Sequence, residues 1–100
     1  MNYISTRNNK KTFSFEEVFL KGLADDGGLF VPKSIKKFKK DELNNLNNLS
    51  YNNLAAEIIY PFIGDFMPKD ELISIISKSY SNFRFNDVVK ISDLGNLKVL

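Results

Sequence analysis

Apolar residues recur at helical spacing along several stretches of this chain, and the first stretch is the most informative. Its apolar positions are Phe15, Val18, Phe19, Gly22 and Leu23. They fall at i, i+3, i+4, i+7 and i+8, which places them on one face of a predicted helix. Ser14 and Glu17 have the spacing of a capping box, and Phe13 is placed to pack against Val18 at the helix start. We therefore expect an amphipathic helix whose apolar face packs against another part of the protein.

The second half of the chain has the pattern of three further helices. Residues 41–49 predict a short, weak helix with a thin apolar edge. Ser50 can cap the next helix and Gly64 can end it, while Pro61 should kink or shorten its last turn because it lacks an N–H group. Pro68 is expected at the first position of the last helix. The apolar positions of the two longer helices are Tyr51, Leu54, Ala55, Ile58, Ile59 and Phe62, and then Leu72, Ile75, Ile76 and Tyr80.

A turn is predicted directly after the first helix. Asp25 and Asp26 tolerate unusual backbone angles, and Gly27 and Gly28 can adopt positive φ without steric cost. The apolar residues 29–31 that follow predict a short buried strand, which Pro32 should end. The glycines lack the spacing of a phosphate-cradling loop, so turn chemistry alone favours a structural role.

A polar cluster near the start of the chain is the other candidate site. Ser5, Thr6 and Arg7 combine two hydroxyl groups with a guanidinium, which together can bind a phosphate or carboxylate through charge-assisted hydrogen bonds. Taken alone, three such residues near a terminus more often cap or anchor a strand. Both interpretations stay open on the residues themselves.

The amino-acid composition of the chain argues against several kinds of structural and catalytic site. The 100 residues include no cysteine and no histidine, which excludes a disulfide framework and removes the usual zinc ligands and the commonest general base. No apolar run approaches the roughly 18 residues that span a bilayer, and no signal-peptide pattern follows the amino terminus. A cytoplasmic protein without a membrane partner is the expectation, and its 43% hydrophobic content is enough for one small core.

A lysine-rich segment from Lys33 to Lys40 suggests an alternative function. Its five lysines are Lys33, Lys36, Lys37, Lys39 and Lys40. They interleave with Ile35 and Phe38, so the segment could bind a partner or nucleic acid as part of a small helical interaction module. A solvated connector is the preferred interpretation, because a phosphate-reading surface usually contains arginine for bidentate contacts.

The order of these motifs resembles the amino-terminal domain of threonine synthase. The matching segments are Tyr3–Arg7, the run FEEVFLKGLADDGGLFVP from Phe15 to Pro32, Ser50–Ala56, Phe62–Asp65 and Ser79–Phe83. Two departures accompany the match: Asn8 stands where the family often has glycine, and residues 33–49 carry no family signature. The resemblance nevertheless extends over nearly the whole chain.

The resemblance implies an α+β fold, with a small, mostly helical amino-terminal domain and one or two short strands. Such a domain belongs to the tryptophan-synthase-β-like, fold-type II enzymes that use pyridoxal 5′-phosphate. We expect residues 1–80 to form this domain. Residues 81–100 are expected to form a linker and the first strand of a truncated cofactor-binding domain, since residues 97–100 alternate as a strand does.

The activity implied by the resemblance is that of a lyase of threonine biosynthesis, which converts O-phospho-L-homoserine and water into L-threonine and phosphate. The parent enzyme is expected to be monomeric, and its own catalytic domain is the expected partner of this chain. No catalytic, cofactor-binding or metal-binding residue is expected here, so the fragment alone should bind no cofactor and be inactive. The residues expected near the substrate are Ser5, Thr6, Arg7, Asp26, Gly27 and Gly28.

Overall fold

The computed structural model describes residues 1–83 and 89–99, and the expected α+β class is confirmed there. Two short strands and two short helices alternate in the first half, and the two longest helices and a second pair of short strands follow. In chain order the elements are β1 (Tyr3–Ser5), α1 (Phe15–Lys21), β2 (Phe30–Pro32), α2 (Lys40–Leu46), α3 (Tyr51–Ile63), a 3-10 turn (Gly64–Phe66), α4 (Lys69–Ser81), β3 (Ser92–Asp93) and β4 (Lys98–Val99). None of the helices in these residues has the length and apolar character that crossing a membrane requires.

Strands β1 and β2 pair in an antiparallel ribbon, with Ser5 opposite Phe30 and Tyr3 opposite Pro32. The ribbon includes Pro32, one residue beyond the predicted strand. Ladder bonds flank that position, since the Lys33 N–H donates to the Asn2 carbonyl at 2.8 Å. Pro32 therefore occupies a pair that needs no N–H donor, which explains why proline is tolerated there.

Helix α1 begins as predicted and ends early. Ser14 is its N-cap, and the reciprocal capping bonds are present: the Glu17 N–H donates to the Ser14 hydroxyl at 3.2 Å, and the Ser14 N–H donates to the Glu17 carboxylate at 2.8 Å. Gly22 ends the helix with a φ of 72°. The prediction that Gly22 and Leu23 continue the helical stripe is therefore wrong, because the chain leaves the helix at Lys21.

The main apolar core lies between α3 and α4. Its buried members are Ala56, Ile63, Leu72 and Ile76, and half-buried side chains that include Phe15 and Tyr60 pack around them. A Lys69–Glu57 ion pair also joins the two helices. Leu72 and Ile76 of the predicted α4 stripe lie in this core. On α3 the buried residues are Ala56 and Ile63, which the predicted stripe did not include, whereas the predicted Ile58 and Ile59 are each 40% exposed, so the predicted apolar face of α3 needs correction.

Two proline predictions need correction. Helix α3 runs through Pro61 to Ile63, so the expected early end does not occur. Only two helical residues follow the proline, and packing of Ile63 in the core holds this last turn in place. Pro68 is the N-cap of α4 with an extended ψ of 146°, not its first helical residue.

The end of the chain forms a separate antiparallel hairpin. Strands β3 and β4 pair through Ser92 opposite Val99 and Asp93 opposite Lys98. Residues 84–88 of the predicted linker, and residue 100 of the predicted strand, lie outside the described residues. The division into 1–80 and 81–100 stays a prediction.

Candidate functional site

The structure brings the six predicted site residues together at the end of β1. Ser5 lies in the β1–β2 ribbon, and residues 24–29 fold back beside it. The Ser5 hydroxyl donates to Asp26 Oδ1 at 2.7 Å, and the Gly28 N–H donates to the same oxygen at 2.9 Å. One carboxylate oxygen therefore joins β1 to the glycine turn across 21 residues of sequence.

Arg7 lies over this turn and makes one hydrogen bond to β1 and one to the turn. Its backbone N–H donates to the Ser5 hydroxyl at 3.1 Å, and its Nη1 donates to the Asp26 carbonyl at 3.1 Å. A guanidinium carries five N–H donors, so most of the Arg7 donors stay available on an exposed side chain. The turn holds Arg7 in position and leaves it able to bind an anion.

Thr6 connects the same strand to the residue that follows the turn. Its N–H donates to the Leu29 carbonyl at 2.9 Å, and its hydroxyl accepts from the Leu29 N–H at 3.0 Å. The side chain replaces the backbone carbonyl that an ordinary ladder would use at this pair. Thr6 is thus a positioning residue for Leu29 and for the start of β2.

The two glycines are required for different reasons. Gly27 has a φ of +76°, and a Cβ there would lie 2.9 Å from Arg7 Nη1. Gly28 is buried, and a Cβ at this position would overlap the Ser5 hydroxyl oxygen. A side chain at Gly27 would strain the backbone and displace Arg7, whereas one at Gly28 would separate the turn from Ser5.

Electrostatics keep the Asp26 carboxylate ionised. The hydrogen bond from Ser5 is the main cause that lowers the pKa of Asp26, followed by the bond from the Gly28 N–H, and the Arg7 charge acts in the same direction. Asp25 belongs to a different contact, because it pairs with Lys21 at 2.7 Å. The two aspartates do not form a carboxylate pair, and Asp26 is suited to holding the turn more than to taking a proton.

A cleft of about 210 Å³ opens beside the turn. Its walls include Ser5, Asp26, Lys11 and Phe13, so both signs of charge and an aromatic ring face one small space. The Lys11 ammonium lies 5.0 Å from the centre of the Phe13 ring, which gives this cation a fixed place in the wall. The cleft has room for a small molecule, and Arg7 is not among the residues that line it.

The lysines of this chain do not fit a pyridoxal phosphate site. A Schiff-base lysine needs a desolvated pocket that lowers its pKa. Every lysine of the chain lies in the described ranges, where Lys69 is half-buried and all others are exposed. None of the described lysines lies in such a desolvated pocket within this chain.

The lysine-rich segment does not form an uninterrupted basic surface. Lys36 pairs with Glu42 at 3.0 Å and lies 4.7 Å from the centre of the Phe38 ring. Residues 33–39 have no regular secondary structure and lead into α2. This is the geometry of a connector, and it gives the interaction-module alternative no support.

Sequence reasoning missed two members of this site. Leu29 was assigned only to the predicted strand, yet both of its backbone polar groups bond to Thr6. Lys11 was not among the predicted site residues. The Leu29 contacts have no local sequence signal, because they depend on how β1 and the turn approach each other.

Known proteins share this domain over most of its length. A family model described as threonine synthase N terminus matches residues 2–80. Threonine synthase-like 2 of Homo sapiens is 39% identical over 95 residues, covering 94% of this chain and 20% of that protein. Threonine synthase of Pseudomonas aeruginosa is 36% identical over 101 residues, covering 100% of this chain and 22% of that protein.

A solved structure agrees with the fold. The crystal structure of pyridoxal-phosphate-bound threonine synthase from Brucella melitensis superposes with a TM-score of 0.82 at 30% identity, covering 93% of this chain and 20% of that one. The chain thus spans about a fifth of the length of the relatives that it matches.

Proposed function

This chain belongs to the threonine synthase amino-terminal domain family, and from that premise we propose that it is the first part of an enzyme that makes threonine. The proposed reaction converts O-phospho-L-homoserine and water into L-threonine and phosphate. The family match over residues 2–80 carries this proposal. Because the chain spans about a fifth of its relatives, the remaining part of the polypeptide would hold the reacting atoms.

The proposed role of this domain is to bind and enclose the substrate. O-phospho-L-homoserine carries a phosphate and a carboxylate, and Arg7 offers free N–H donors that suit either group. Ser5, Thr6 and Asp26 hold the strand and the turn around Arg7, and the glycines allow the close approach. Arg7 is therefore the proposed substrate contact, and the others are positioning residues.

Pyridoxal phosphate would supply the electron sink for carbanion chemistry in the complete enzyme. Its lysine would come from the part of the polypeptide beyond this chain, since the lysines here are exposed or half-buried. The chain alone is accordingly proposed to be inactive. Its contribution would be to orient the substrate and to limit the access of water.

The proposed enzyme is a cytoplasmic monomer whose amino-terminal domain contacts its own catalytic domain. Neither nucleic acid nor a membrane is part of the proposed function.

Substitution of Arg7 in the complete enzyme tests the substrate contact. Arg7→Ala should raise the KM for O-phosphohomoserine roughly 10- to 100-fold, because a charge-assisted hydrogen bond contributes about 1.5–3 kcal/mol. Inorganic phosphate should also inhibit the variant less strongly than the native enzyme. Arg7→Lys should recover part of the affinity, since it keeps the charge without the planar fork.

Lys10→Ala is the matched control, because it removes an exposed positive charge from the same loop. It should leave KM and phosphate inhibition unchanged. Unaltered turnover and affinity in both Arg7→Ala and Asp26→Ala would refute the proposed site. A complete enzyme that binds pyridoxal phosphate but forms no threonine would refute the proposed reaction.

A further inference from the structure

Four large apolar side chains of α1 and the following turn lie exposed. Phe19, Leu20, Leu23 and Leu29 are between 60% and 75% exposed. We call these four residues the α1 face. Phe15, at the start of the same helix, is half-buried and packs against the main core. The predicted apolar stripe is therefore divided between a part that packs within the domain and a part that does not.

The α1 face is held in place by contacts behind it. The Phe19 ring lies 5.8 Å from the Phe15 ring and 6.2 Å from the Phe66 ring, measured between centroids. The Ala24 N–H donates to the Gly28 carbonyl at 3.1 Å, and Leu23 and Leu29 flank that bonded pair. The exposed leucines thus lie on an ordered backbone, as a preformed docking surface requires.

We propose that the α1 face docks on the remaining part of the full-length polypeptide, an inference that rests on the proposed function. Large exposed apolar residues that lie together mark interaction surfaces in soluble proteins. The relatives are about five times as long as this chain, so most of such a polypeptide lies outside the residues described here. This remaining part of the polypeptide is what covers the α1 face.

A covalent connection favours this occupant over a second copy of the chain. A tethered partner has an effective concentration that reaches the millimolar range for short flexible linkers. A second copy would compete at its own, far lower, solution concentration. The α1 face is therefore covered first by the polypeptide to which it is joined.

Docking of this face would place the candidate site at a domain boundary. Both backbone polar groups of Leu29 bond to Thr6, whose neighbour Arg7 carries the exposed guanidinium. A body that covers Leu29 would consequently lie beside Arg7. Ligand sites occur preferentially at such boundaries, so the same contact would bury the face and complete the site.

The test introduces charge into the face of the full-length protein. Leu23→Asp should make the amides of α1 and residues 23–29 exchange with deuterium at least about 10-fold faster, because a buried unpaired carboxylate opposes docking. A patch on the remaining polypeptide should lose protection at the same time. Leu20→Gln is a milder second variant that keeps helix propensity, and it should shift exchange in the same direction.

Ile35→Asp is the matched control, since Ile35 is 69% exposed but lies in the connector before α2. In this variant the amides of α1 and residues 23–29 should exchange with deuterium at the same rate as in the native protein. The inference is overturned if Leu23→Asp and Ile35→Asp behave alike. It is also overturned if the native protein elutes as a dimer and Leu23→Asp as a monomer, because a second copy would then cover the face.

The docking inference and the proposed substrate contact can fail separately. Protection of the α1 face in the native protein, lost in Leu23→Asp, supports docking even if Arg7→Ala leaves the KM unchanged. In that case only the substrate contact is wrong. If Arg7→Ala raises the KM but Leu23→Asp exchanges deuterium as the native protein does, the substrate contact of Arg7 is supported. The docking of the α1 face is then overturned.

Discussion

Two regions of this domain are stabilised in different ways. The helical region, α3 with α4, is held by buried apolar side chains centred on Ala56 and Ile76. The polar region, which is the end of β1 with the glycine turn, is held mainly by hydrogen bonds in which Ser5 and Asp26 are the central groups. The helical region buries its central side chains within the domain, although Ile75 stays 44% exposed, whereas the polar region and the adjoining α1 face present Arg7 and more fully exposed leucines to the outside.

The difference separates stability from function within one small domain. Burial of apolar surface is non-directional, so the helical region tolerates many sequences that keep the stripe. Hydrogen bonds around one carboxylate oxygen are directional and specify a single geometry. We infer that the helical region mainly anchors the fold, and that the polar region positions groups for a ligand and for the rest of the polypeptide.

The largest expected effect comes from the helical region. Ile76→Ala should lower the free energy of unfolding of the α3–α4 core by about 2–5 kcal/mol, because it removes a buried side chain and leaves a cavity. Hydrogen exchange of α3 and α4 amides in the full-length protein measures this change.

Ile75→Ala is the control with identical chemistry, since Ile75 precedes Ile76 in the same helix and is 44% exposed. Its effect should stay below about 1 kcal/mol. Equal losses in the two variants would contradict a closed core between α3 and α4. The helical region could then no longer be described as stabilised by buried apolar side chains, in contrast to the polar region.

A smaller effect is expected from the polar region. Gly28→Ala should destabilise the turn by about 1–3 kcal/mol, the usual range for overpacking, because its Cβ would overlap the Ser5 hydroxyl. Exchange of the residue 24–29 amides should accelerate, while α4 exchange changes little.

Gly22→Ala provides the control for backbone strain alone. Gly22 has a φ of +72°, and the position that a Cβ would occupy there is open, so the substitution adds strain without a collision. Its effect should stay local to the end of α1, at about 1–2 kcal/mol. If Gly28→Ala were as well tolerated as a surface substitution, the close packing of Ser5 against the turn would be wrong.

The sequence predicted the positions of the two long helices better than the faces that they bury, since Ala56 and Ile63 of α3 were not in the predicted stripe. The spacing of Leu72 and Ile76 is visible in the local sequence. These side chains are buried because α3 and α4 pack against each other. The stripe of α1 was predicted from the same periodicity, yet Phe19 stays exposed. Periodicity identifies an apolar face, but it does not identify the partner that covers it.

The candidate site was predicted as two separate motifs. Local turn chemistry indicated the glycines, and a hydroxyl-guanidinium cluster indicated Ser5, Thr6 and Arg7. Their convergence depends on the pairing of β1 with β2, which brings residues 21 positions apart into hydrogen-bond contact. Nothing local encodes that pairing, so geometry such as the Thr6–Leu29 bonds could be found only in the structure.

The smallest expected effect concerns pH and the Asp26 carboxylate. The Ser5 hydrogen bond, then the Gly28 N–H bond, lowers the pKa of Asp26 in the folded protein below its ordinary value. An unfolded aspartate titrates near about 3.9, so the stabilisation is complete above that pH and is lost as the pH falls through the lower folded pKa. Acidification below about pH 4 should therefore lower the protection factors of the turn amides, which correct the exchange rates for the intrinsic slowing of amide exchange in acid.

Asp26→Asn should remove this dependence while keeping an acceptor oxygen of similar shape. The variant should exchange faster than the native protein near neutral pH, and its turn should respond less to acid. Asp65→Asn, at an exposed position in the 3-10 turn, should retain the native response. Because water screens an exposed carboxylate, the difference should be smaller than that of Gly28→Ala. Parallel acid responses in Asp26→Asn and the native protein would show that the carboxylate does not hold the polar region together.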